Sequence, residues 1–392
     1  MSINNFVCPI CSNKDKASIG YLHDKPYCRK CIVFRGENVQ SIFLHPKEAK
    51  IHLGYSLSSE QFDLSNRLIE NYRLGIDSLV NAVCGSGKTE ICLGVIQYSI
   101  QSGLKVGFAV PRRSVCYELY TRFKNIFQKN KVVAVFGGHH NDLIGDIVCL
   151  TTHQLYRYKN YFDLLIMDEI DAFPFKGNKV LQKMFENSIK GHFVLLSATP
   201  SKKLINEFQK PGKEVLSLFA RFHHHELPVP QIKEGNYLKI YYILFQHVHK
   251  YISQNKQIFI FVPTIDESIK TARILNTFFH KGTYINSKSP NREELIEDFR
   301  EKKMMYLVTT AVLERGITVK DLQVVVFKAD HPIYDDASLI QIAGRAGRKK
   351  DAPEGEVIFI AETKTEYMVR AIQEISSANE KLQNMLQRNQ NI

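Results

Sequence analysis

The chain has 392 residues and a formal net charge of +12, with 52 Lys and Arg residues against 40 Asp and Glu residues. Hydrophobic residues make up 44% of the sequence, enough for two or three buried cores, which excludes a disordered or fibrous protein. The basic excess suits a polyanionic partner such as a nucleic acid, because Lys and Arg side chains that neutralise phosphates release counterions. Many soluble proteins are basic without such a partner, so charge alone leaves both interpretations open.

The N-terminal sequence and the cysteines predict a cytoplasmic protein. The segment MSINNFVCPICSNK has no basic region followed by an apolar run, so it does not resemble a secretory signal. No stretch of the sequence approaches about 18 uninterrupted apolar residues, as a membrane-spanning helix would. Four of the eight cysteines form two CxxC pairs, and four are single: Cys84, Cys92, Cys116 and Cys149. This distribution indicates a metal site and buried thiols in a reducing compartment rather than a disulfide framework.

The two cysteine pairs come first along the chain. Cys8 and Cys11 form one pair, Cys28 and Cys31 the other, with sixteen residues between them. Four thiolates in two such knuckles can surround one Zn²⁺ ion tetrahedrally, and a closed shell of this kind is structural rather than catalytic. We therefore predict a Cys₄ zinc-ribbon module over residues 1–45, which needs its metal to fold. A redox dithiol and an iron–sulfur cluster are the alternatives.

The side chains around the knuckles leave the partner of this module open. Basic and aromatic residues together could grip a single-stranded nucleic acid, and they could equally dock a protein. The residues concerned are Lys14, Lys16, Tyr21, Lys25, Tyr27, Arg29, Lys30, Phe34 and Arg35.

The rest of the chain predicts two tandem RecA-like α/β lobes with parallel sheets. Residues 46–57 are polar and indicate a linker, and a Pro-punctuated segment at 221–231 separates two regions in which short apolar runs alternate with helical periods. We predict the first lobe over 58–222, the second over 223–362, and a polar helical tail over 363–392. The predicted strands are 79–83, 106–110, 132–136, 146–150, 164–168 and 193–197 in the first lobe, and 258–262, 305–310, 324–329 and 356–361 in the second.

A phosphate-binding loop follows the first predicted strand, where residues 82–89 read AVCGSGKT before a helix. Backbone N–H groups around Gly85, Ser86 and Gly87 can surround phosphate oxygens, and the helix N-terminus adds a favourable dipole. Lys88 can reach the β- and γ-phosphates of ATP, and the hydroxyl of Thr89 can ligate Mg²⁺.

Paired carboxylates complete the predicted nucleotide site. Asp168 and Glu169 end the apolar run LLIM about eighty residues after the loop. Asp168 would hold the Mg²⁺, and Glu169 would orient the water that attacks the γ-phosphate. Carboxylates at a strand end are often only a solvated terminus, but the preceding phosphate loop favours the catalytic interpretation. Upstream, the amide of Gln61 could read an adenine edge by donating and accepting hydrogen bonds together.

The second predicted lobe supplies arginines that could act on the same nucleotide. Gln341, Arg345 and Arg348 lie in the run QIAGRAGR, and guanidinium groups stabilise charge on a transferring phosphoryl group. A simple basic loop is the alternative interpretation.

These motifs, in this order, resemble those of the DEAD-box-related superfamily-two helicases. The set AVCGSGKT, DEID, SAT, TTAVLERG and QIAGRAGR covers about 57–362 of the chain. The cysteine pairs together with VPRR, TTHQL, DEIDAFP, LERGIT and ADHP are similar, more narrowly, to the late-competence ATPases of the ComFA type. A run of three histidines, 223–225, departs from that pattern, and a solvated turn is the simpler interpretation of it.

The resemblance implies a role for further residues. Gly316 would belong to the nucleotide site, and Ser197 and Thr199 would couple it to the bound strand. The residues implied to contact DNA are Pro111, Arg112, Arg113, Thr151, Thr152, His153, Thr309 and Thr310.

The resemblance implies an ATP-dependent single-stranded DNA translocase that drives DNA uptake in transformation. Its implied partners are single-stranded DNA, a ComFC-like protein with a phosphoribosyltransferase fold, and the membrane DNA channel. A homo-oligomer is a candidate assembly, and the protein would be cytoplasmic or peripheral at the inner face of the cell membrane. The alternatives are a PriA-like replication-restart or repair helicase and an RNA helicase. A non-enzymatic scaffold is disfavoured because the residues needed for hydrolysis are present.

Overall fold

The computed structural model describes residues 6–390 except 24, 35, 84, 140, 172–174, 176, 219–224, 314–318 and 348–354. The chain divides into two compact units, Met1–Ala82 with Gly87–Leu218 and Val83–Ser86 with Phe219–Ile392. Each unit is built on a parallel sheet with helices, which confirms the predicted α/β fold with two RecA-like lobes.

The N-terminal cysteines lie in a small β-hairpin module. Strands β1 (Ile19–Leu22) and β2 (Lys25–Cys28) are antiparallel, with Ile19 opposite Cys28. The first knuckle is a turn in which the Ser12 N–H donates to the Cys8 carbonyl at 2.9 Å. We call residues 6–34 the cysteine module.

The first unit continues with a larger α/β sandwich. Its helices are α1 (Ser59–Arg73), α2 (Lys88–Ile91), α3 (Leu93–Gln101), α4 (Arg113–Ile126), α5 (Lys179–Ser188) and α6 (Lys202–Glu207). Its strands are β3 (Asp77–Ala82), β4 (Val106–Val110), β5 (Val132–Val135), β6 (Ile147–Thr151), β7 (Phe162–Met167), β8 (Ile189–Ser197) and β9 (Lys213–Leu218).

Within the described residues, the strand order of this sheet is β5-β6-β4-β7-β8-β3-β9 and every pairing is parallel. Strands β4, β6 and β7 are buried at every position, because helices cover both faces of a parallel sheet. The loops that follow the strands therefore gather at one edge, where ligands bind in open α/β sheets.

Residues 46–57, interpreted from composition as a linker, lie along the first unit. The N–H of Lys47 donates to the carbonyl of Ile100 at 3.3 Å, and the N–H of His52 donates to that of Ile126 at 3.0 Å. Both acceptors lie in the last turn of a helix, where carbonyls have no partner within the helix. Ala49 is buried, and its carbonyl accepts from Gln97 at 2.8 Å.

The second unit repeats the architecture with different sequence. Its strands are β10 (Gln231–Glu234), β11 (Ile258–Phe261), β12 (Gly282–Ile285), β13 (Tyr306–Thr309), β14 (Gln323–Phe327) and β15 (Val357–Ala361). Its helices are α7 (Tyr237–Ser253), α8 (Ile265–Phe279), α9 (Arg292–Arg300), α10 (Asp336–Ala343) and α11 (Glu366–Gln390). The strands are parallel in the order β10-β15-β14-β11-β13-β12.

The C-terminal helix α11 is part of the core of this unit. Met368, Ala371 and Ile375 recur at helical spacing, are buried, and belong to the same apolar cluster as strands β14 and β15. Asn379 donates to the Leu227 carbonyl at 2.9 Å and accepts from its N–H at 2.8 Å. The segment that composition indicated as a polar tail is therefore one amphipathic helix. None of the helices in the described residues is long and apolar enough to cross a membrane.

Candidate nucleotide and nucleic-acid site

The phosphate loop after β3 has the backbone that its glycines predict. Gly85 and Gly87 have φ angles of +81° and +80°, in the left-handed region that only glycine adopts at no cost. Gly87 caps α2, and the Lys88 ammonium donates to the Ala82 carbonyl at 2.8 Å. The loop thus turns back on itself directly before the helix that carries Lys88 and Thr89.

Gln61 lies against this loop although it is 26 positions before Gly87 in the sequence. It is the third residue of a capping box on α1: its side-chain oxygen accepts from the Ser58 N–H at 3.0 Å, and its own N–H donates to the Ser58 hydroxyl at 3.3 Å. With the oxygen held by the cap, the amide nitrogen faces Gly87 so closely that a Cβ there would overlap it. The structure therefore brings Gln61, which is buried, to the predicted nucleotide site.

The acidic pair follows β7, two strands away from β3. The Asp168 N–H donates to the Ala109 carbonyl at 2.9 Å, and the Glu169 N–H donates to the Asp168 carboxylate at 2.8 Å. Burial and then the charges of Asp168 and Glu90 raise the pKa of the Cys92 thiol. Because Cys92 lies between α2 and α3, this effect places Asp168 within electrostatic range of the helices that follow the phosphate loop.

Ser197 ends β8, the strand between β7 and β3, and Thr199 follows it. The Thr199 hydroxyl donates to the Asp171 carboxylate at 2.5 Å, and the Thr199 N–H donates to the buried Ser197 hydroxyl at 3.1 Å. The loops after β7, β8 and β3 therefore form one half of the sheet edge, and hydrogen bonds join two of them.

The other half of the edge consists of the loops after β4, β6 and β5, and it carries those residues implied to contact DNA that belong to the first unit. Arg113 is exposed, and Arg112 and His153 are half-buried. Pro111, Thr151 and Thr152 are buried. The side chains that these loops expose are therefore arginines and a histidine, and the two threonines lie beneath them.

Two aromatic rings beside this surface were not identified from the sequence. Phe136 and His139, in the loop after β5, stack with their centroids 4.9 Å apart and their planes at 15°. The Arg113 guanidinium packs against Gly137 between them. Burial and then the charge of Arg113 lower the pKa of His153. The only sequence signal was the run FGGHH after an apolar strand, whose His140 lies outside the described residues.

The second unit holds part of the predicted set. Gln341 lies on α10 and Arg345 directly after it, and both are 4% exposed. Thr309, at the end of β13, is buried and donates to the Thr310 carbonyl at 3.1 Å. Gly316 and Arg348 lie outside the described residues, as do His223 and His224 of the histidine run.

The four N-terminal cysteines have the geometry of a metal-binding cluster. Their sulfurs lie within 4.8 Å of one another, all four residues are buried, and Cys11 Sγ is 3.8 Å from Cys28 Sγ. A tetrahedral shell with Zn–S distances of about 2.3 Å has sulfur–sulfur edges of about 3.8 Å. The hydrogen bond from Cys31 lowers the pKa of Cys8 to about 5, and the same bond raises the pKa of Cys31. The donor set and its spacing therefore fit Zn²⁺.

The fold and the site together define a nucleic-acid-dependent ATPase of the helicase type, which uses ATP with Mg²⁺. Residues 65–208 match the family described as DEAD/DEAH box helicase, and residues 242–350 match the helicase conserved C-terminal domain. More narrowly, the chain belongs to the ComFA family of competence proteins. It is 32% identical to competence protein ComFA of Bacillus subtilis (strain 168), over 97% of this chain and 87% of that protein.

One further comparison supports this assignment, and another supports the fold. Competence protein ComFA of Streptococcus pneumoniae (strain ATCC BAA-255 / R6) is 31% identical over 90% of this chain and 85% of that protein. The structure of S. cerevisiae Dbp5 bound to RNA and ADP BeF3 superposes with a TM-score of 0.61 at 16% identity, over 83% of this chain and 92% of that one. The second likeness is one of fold alone.

Proposed function

We propose that this protein is an ATP-driven motor that moves single-stranded DNA during natural transformation. The observation that carries the proposal is the division of the sheet edge in the first unit. Its nucleotide half lies directly beside a half rich in arginine and aromatic rings, in a chain whose relatives are competence proteins. A motor needs the two halves to be adjacent, because ATP hydrolysis must change how tightly the protein binds the strand.

In the nucleotide half, Lys88 contacts the β- and γ-phosphates and Glu169 orients the attacking water. Thr89 and Asp168 would hold the Mg²⁺, and the ion would supply neutralisation of the phosphate charge. Gln61 reads the adenine with its amide nitrogen. We assign Gln341, Arg345 and Arg348 of the second unit a role at the γ-phosphate, and Gly316 a role in nucleotide binding.

In the nucleic-acid half, Arg112, Arg113 and His153 contact the DNA backbone, and Thr310 does so from the second unit. Contacts of this kind position a strand without reading its sequence. The buried Pro111, Thr151 and Thr152 support the loops of the first unit from beneath, and Thr309 supports the loop of Thr310. Ser197 and Thr199 couple the nucleotide half of the edge to the half that binds the strand.

The cysteine module holds a structural Zn²⁺ ion through Cys8, Cys11, Cys28 and Cys31. The motor acts in the cytoplasm or at the inner face of the cell membrane, with a ComFC-like partner and the DNA channel, as a monomer or a homo-oligomer.

The test compares ATP hydrolysis without polymer and with single-stranded DNA, duplex DNA or RNA. We expect single-stranded DNA to stimulate most and Lys88→Ala to abolish turnover under every condition. Stimulation by RNA alone would favour an RNA helicase, and stimulation chiefly by branched duplexes would favour a repair helicase. Equal rates with and without polymer would contradict the proposal.

A further inference from the structure

The loop Thr152–Arg157, which carries His153, is a single 3₁₀ run of six residues. Such runs rarely exceed three or four residues because their hydrogen bonds are poorly aligned. Thr151, which precedes the run, gives it no capping side-chain hydrogen bond. Contacts from outside therefore decide where this loop lies. We call it the grip loop.

The cysteine module supplies one set of those contacts through Phe34. The Phe34 ring stacks on His153 with centroids 6.2 Å apart and planes at 28°, and it tilts against Tyr156 at 5.8 Å. The Phe34 N–H donates to the carbonyl of Cys31 at 2.9 Å. One hydrogen bond therefore ties the ring that contacts the grip loop to the last cysteine of the cluster.

The chain that leaves the module supplies a second set of contacts at the other end of the loop. The Arg157 guanidinium donates to the Glu37 carbonyl at 3.1 Å, and the Val39 N–H donates to the Arg157 carbonyl at 2.8 Å. Gly36 has a φ of +149° and lies so close to the guanidinium that a Cβ there would be 2.5 Å from it. Arg157 itself is buried, so it serves this contact rather than an external phosphate.

We propose that Phe34 is a positioning residue for strand binding, through which the cysteine module holds the grip loop from behind. This inference rests on the proposed function, since it needs the grip loop to contact DNA. It makes the module a support for the strand-binding surface rather than a second grip of its own. Metal loss and truncation of Phe34 then have a common effect, a weaker hold on DNA at an unchanged basal rate.

The experiment titrates the ATPase rate of the full chain with a polythymidine oligonucleotide and measures zinc content by release to a chromogenic chelator. For Phe34→Ala we expect the half-saturating DNA concentration to rise about three- to tenfold, the size of an aromatic pair contact. The basal rate, the rate at saturating DNA and the zinc content should not change. Phe34→Tyr keeps the ring and should restore the wild-type value.

Phe43→Ala is the matched control, because Phe43 is 79% exposed and stacks edge-on with His45 instead of the grip loop. It should titrate like wild type. If Phe34→Ala loses zinc or fails to fold, Phe34→Leu, which keeps an apolar contact without a ring, takes its place. A half-saturating DNA concentration equal to that of wild type, in whichever of these two variants folds and keeps its zinc, would overturn the inference.

A double variant separates support from direct contact. If Phe34 acts through His153, Phe34→Ala combined with His153→Ala should bind DNA no more weakly than His153→Ala alone. Additive losses would mean that Phe34 contacts DNA itself and would overturn the inference. A wild-type chain that single-stranded DNA does not stimulate would instead contradict the proposed function, so the two failures can be told apart.

Discussion

Glu169 combines a catalytic assignment with an unusual backbone. Its φ is +55°, in the left-handed region, which costs a residue other than glycine about 1–3 kcal/mol. Strain of this kind persists only where the surroundings fix it, here by the β7 strand end and the bond from the Glu169 N–H to Asp168. The sequence indicated the carboxylate, but the dihedral that aims it depends on the folded sheet edge.

The first prediction concerns this carboxylate. Glu169→Gln keeps the size and the backbone but cannot accept a proton from water, so DNA-stimulated ATP hydrolysis should fall by about 10²–10⁴-fold. Binding of a fluorescent ATP analogue should stay near wild type, because the phosphate contacts of Lys88 remain. Glu48→Gln, which breaks only the exposed pair with Lys129, should hydrolyse normally. Strong stimulated hydrolysis by Glu169→Gln would remove Glu169 from the catalytic role.

The second prediction concerns pH. Burial and the charge of Arg113 lower the folded-state pKa of His153, whereas the unfolded value is about 6.5. Below that value the unfolded chain takes up a proton that the folded chain does not, so this residue costs stability as the pH falls through the interval between the two pKa values. The melting temperature should therefore drop less in His153→Gln than in wild type on going from about pH 7.5 to about pH 5.5.

Two outcomes check the cause. Arg113→Gln removes the positive charge that lowers the pKa of His153 but leaves the effect of burial. The pH dependence of its melting temperature should therefore lie between those of wild type and His153→Gln. A melting curve of His153→Gln that falls as steeply as that of wild type would show that other groups carry the acid sensitivity.

At the scale of elements, the sequence predicted the inner strands of the two larger sheets and the apolar edge strand β5, and it missed the other three edge strands. Inner strands such as β4 and β14 are buried at every position, so they read as apolar runs. The missed strands β9, β10 and β12 are all edge strands, half-exposed and polar, with sequences KEVLSL, QIKE and GTYI. An edge strand needs an apolar contact on only part of its surface, so no local pattern distinguishes it from a loop.

The same reason explains which site residues could be predicted. The phosphate loop and the DE pair are local motifs, and their chemistry can be read from consecutive residues. The contact of Gln61 with Gly87, and that of Phe34 with His153, join segments far apart in the sequence. Each depends on the packing of whole helices and modules, which no local spacing records.

The third prediction tests the role of α11. Asn379 is buried and satisfies both backbone groups of Leu227, 152 residues away. Asn379→Ala leaves that donor and acceptor without their partner, which should lower the free energy of unfolding of the second unit by about 2–4 kcal/mol. Urea unfolding followed by circular dichroism measures the loss. Glu380→Ala, at the exposed neighbouring position, should cost far less, and equal costs would mean that α11 is not anchored at Asn379.

At the scale of the whole molecule, the cysteine module is continuous with the first unit. The sequence predicted a zinc-ribbon module over residues 1–45, and all four of its cysteines share one apolar cluster with Leu155, Tyr156 and Phe185. The Asn187 amide also donates to the Ile10 carbonyl at 2.9 Å. Loss of metal should therefore affect structure well beyond residues 6–34.

The fourth prediction measures how far that effect extends. In Cys28→Ser, zinc should be lost and amide hydrogen exchange should accelerate in the cysteine module, the grip loop and α5. Strands β11 and β14 of the second unit should keep wild-type protection. The exposed substitution Val33→Ala (Val33 is 77% exposed) should retain both zinc and protection. Acceleration confined to the module itself would show that it folds independently of the sandwich.

The long separation between Ile10 and Asn187 also sets an order of events on the ribosome. These partners lie 177 residues apart, so roughly 9–35 s of synthesis separate them at about 5–20 residues per second. During that interval Phe6, Ile10 and Phe34 have left the ribosome, but part of the apolar surface that they pack against has not yet been synthesised. A hairpin whose four thiols bind a metal as soon as they emerge can stay folded until the surface that it packs against has been synthesised. With zinc bound as we propose, we therefore expect the nascent chain to capture its metal early, well before its nucleotide site is complete.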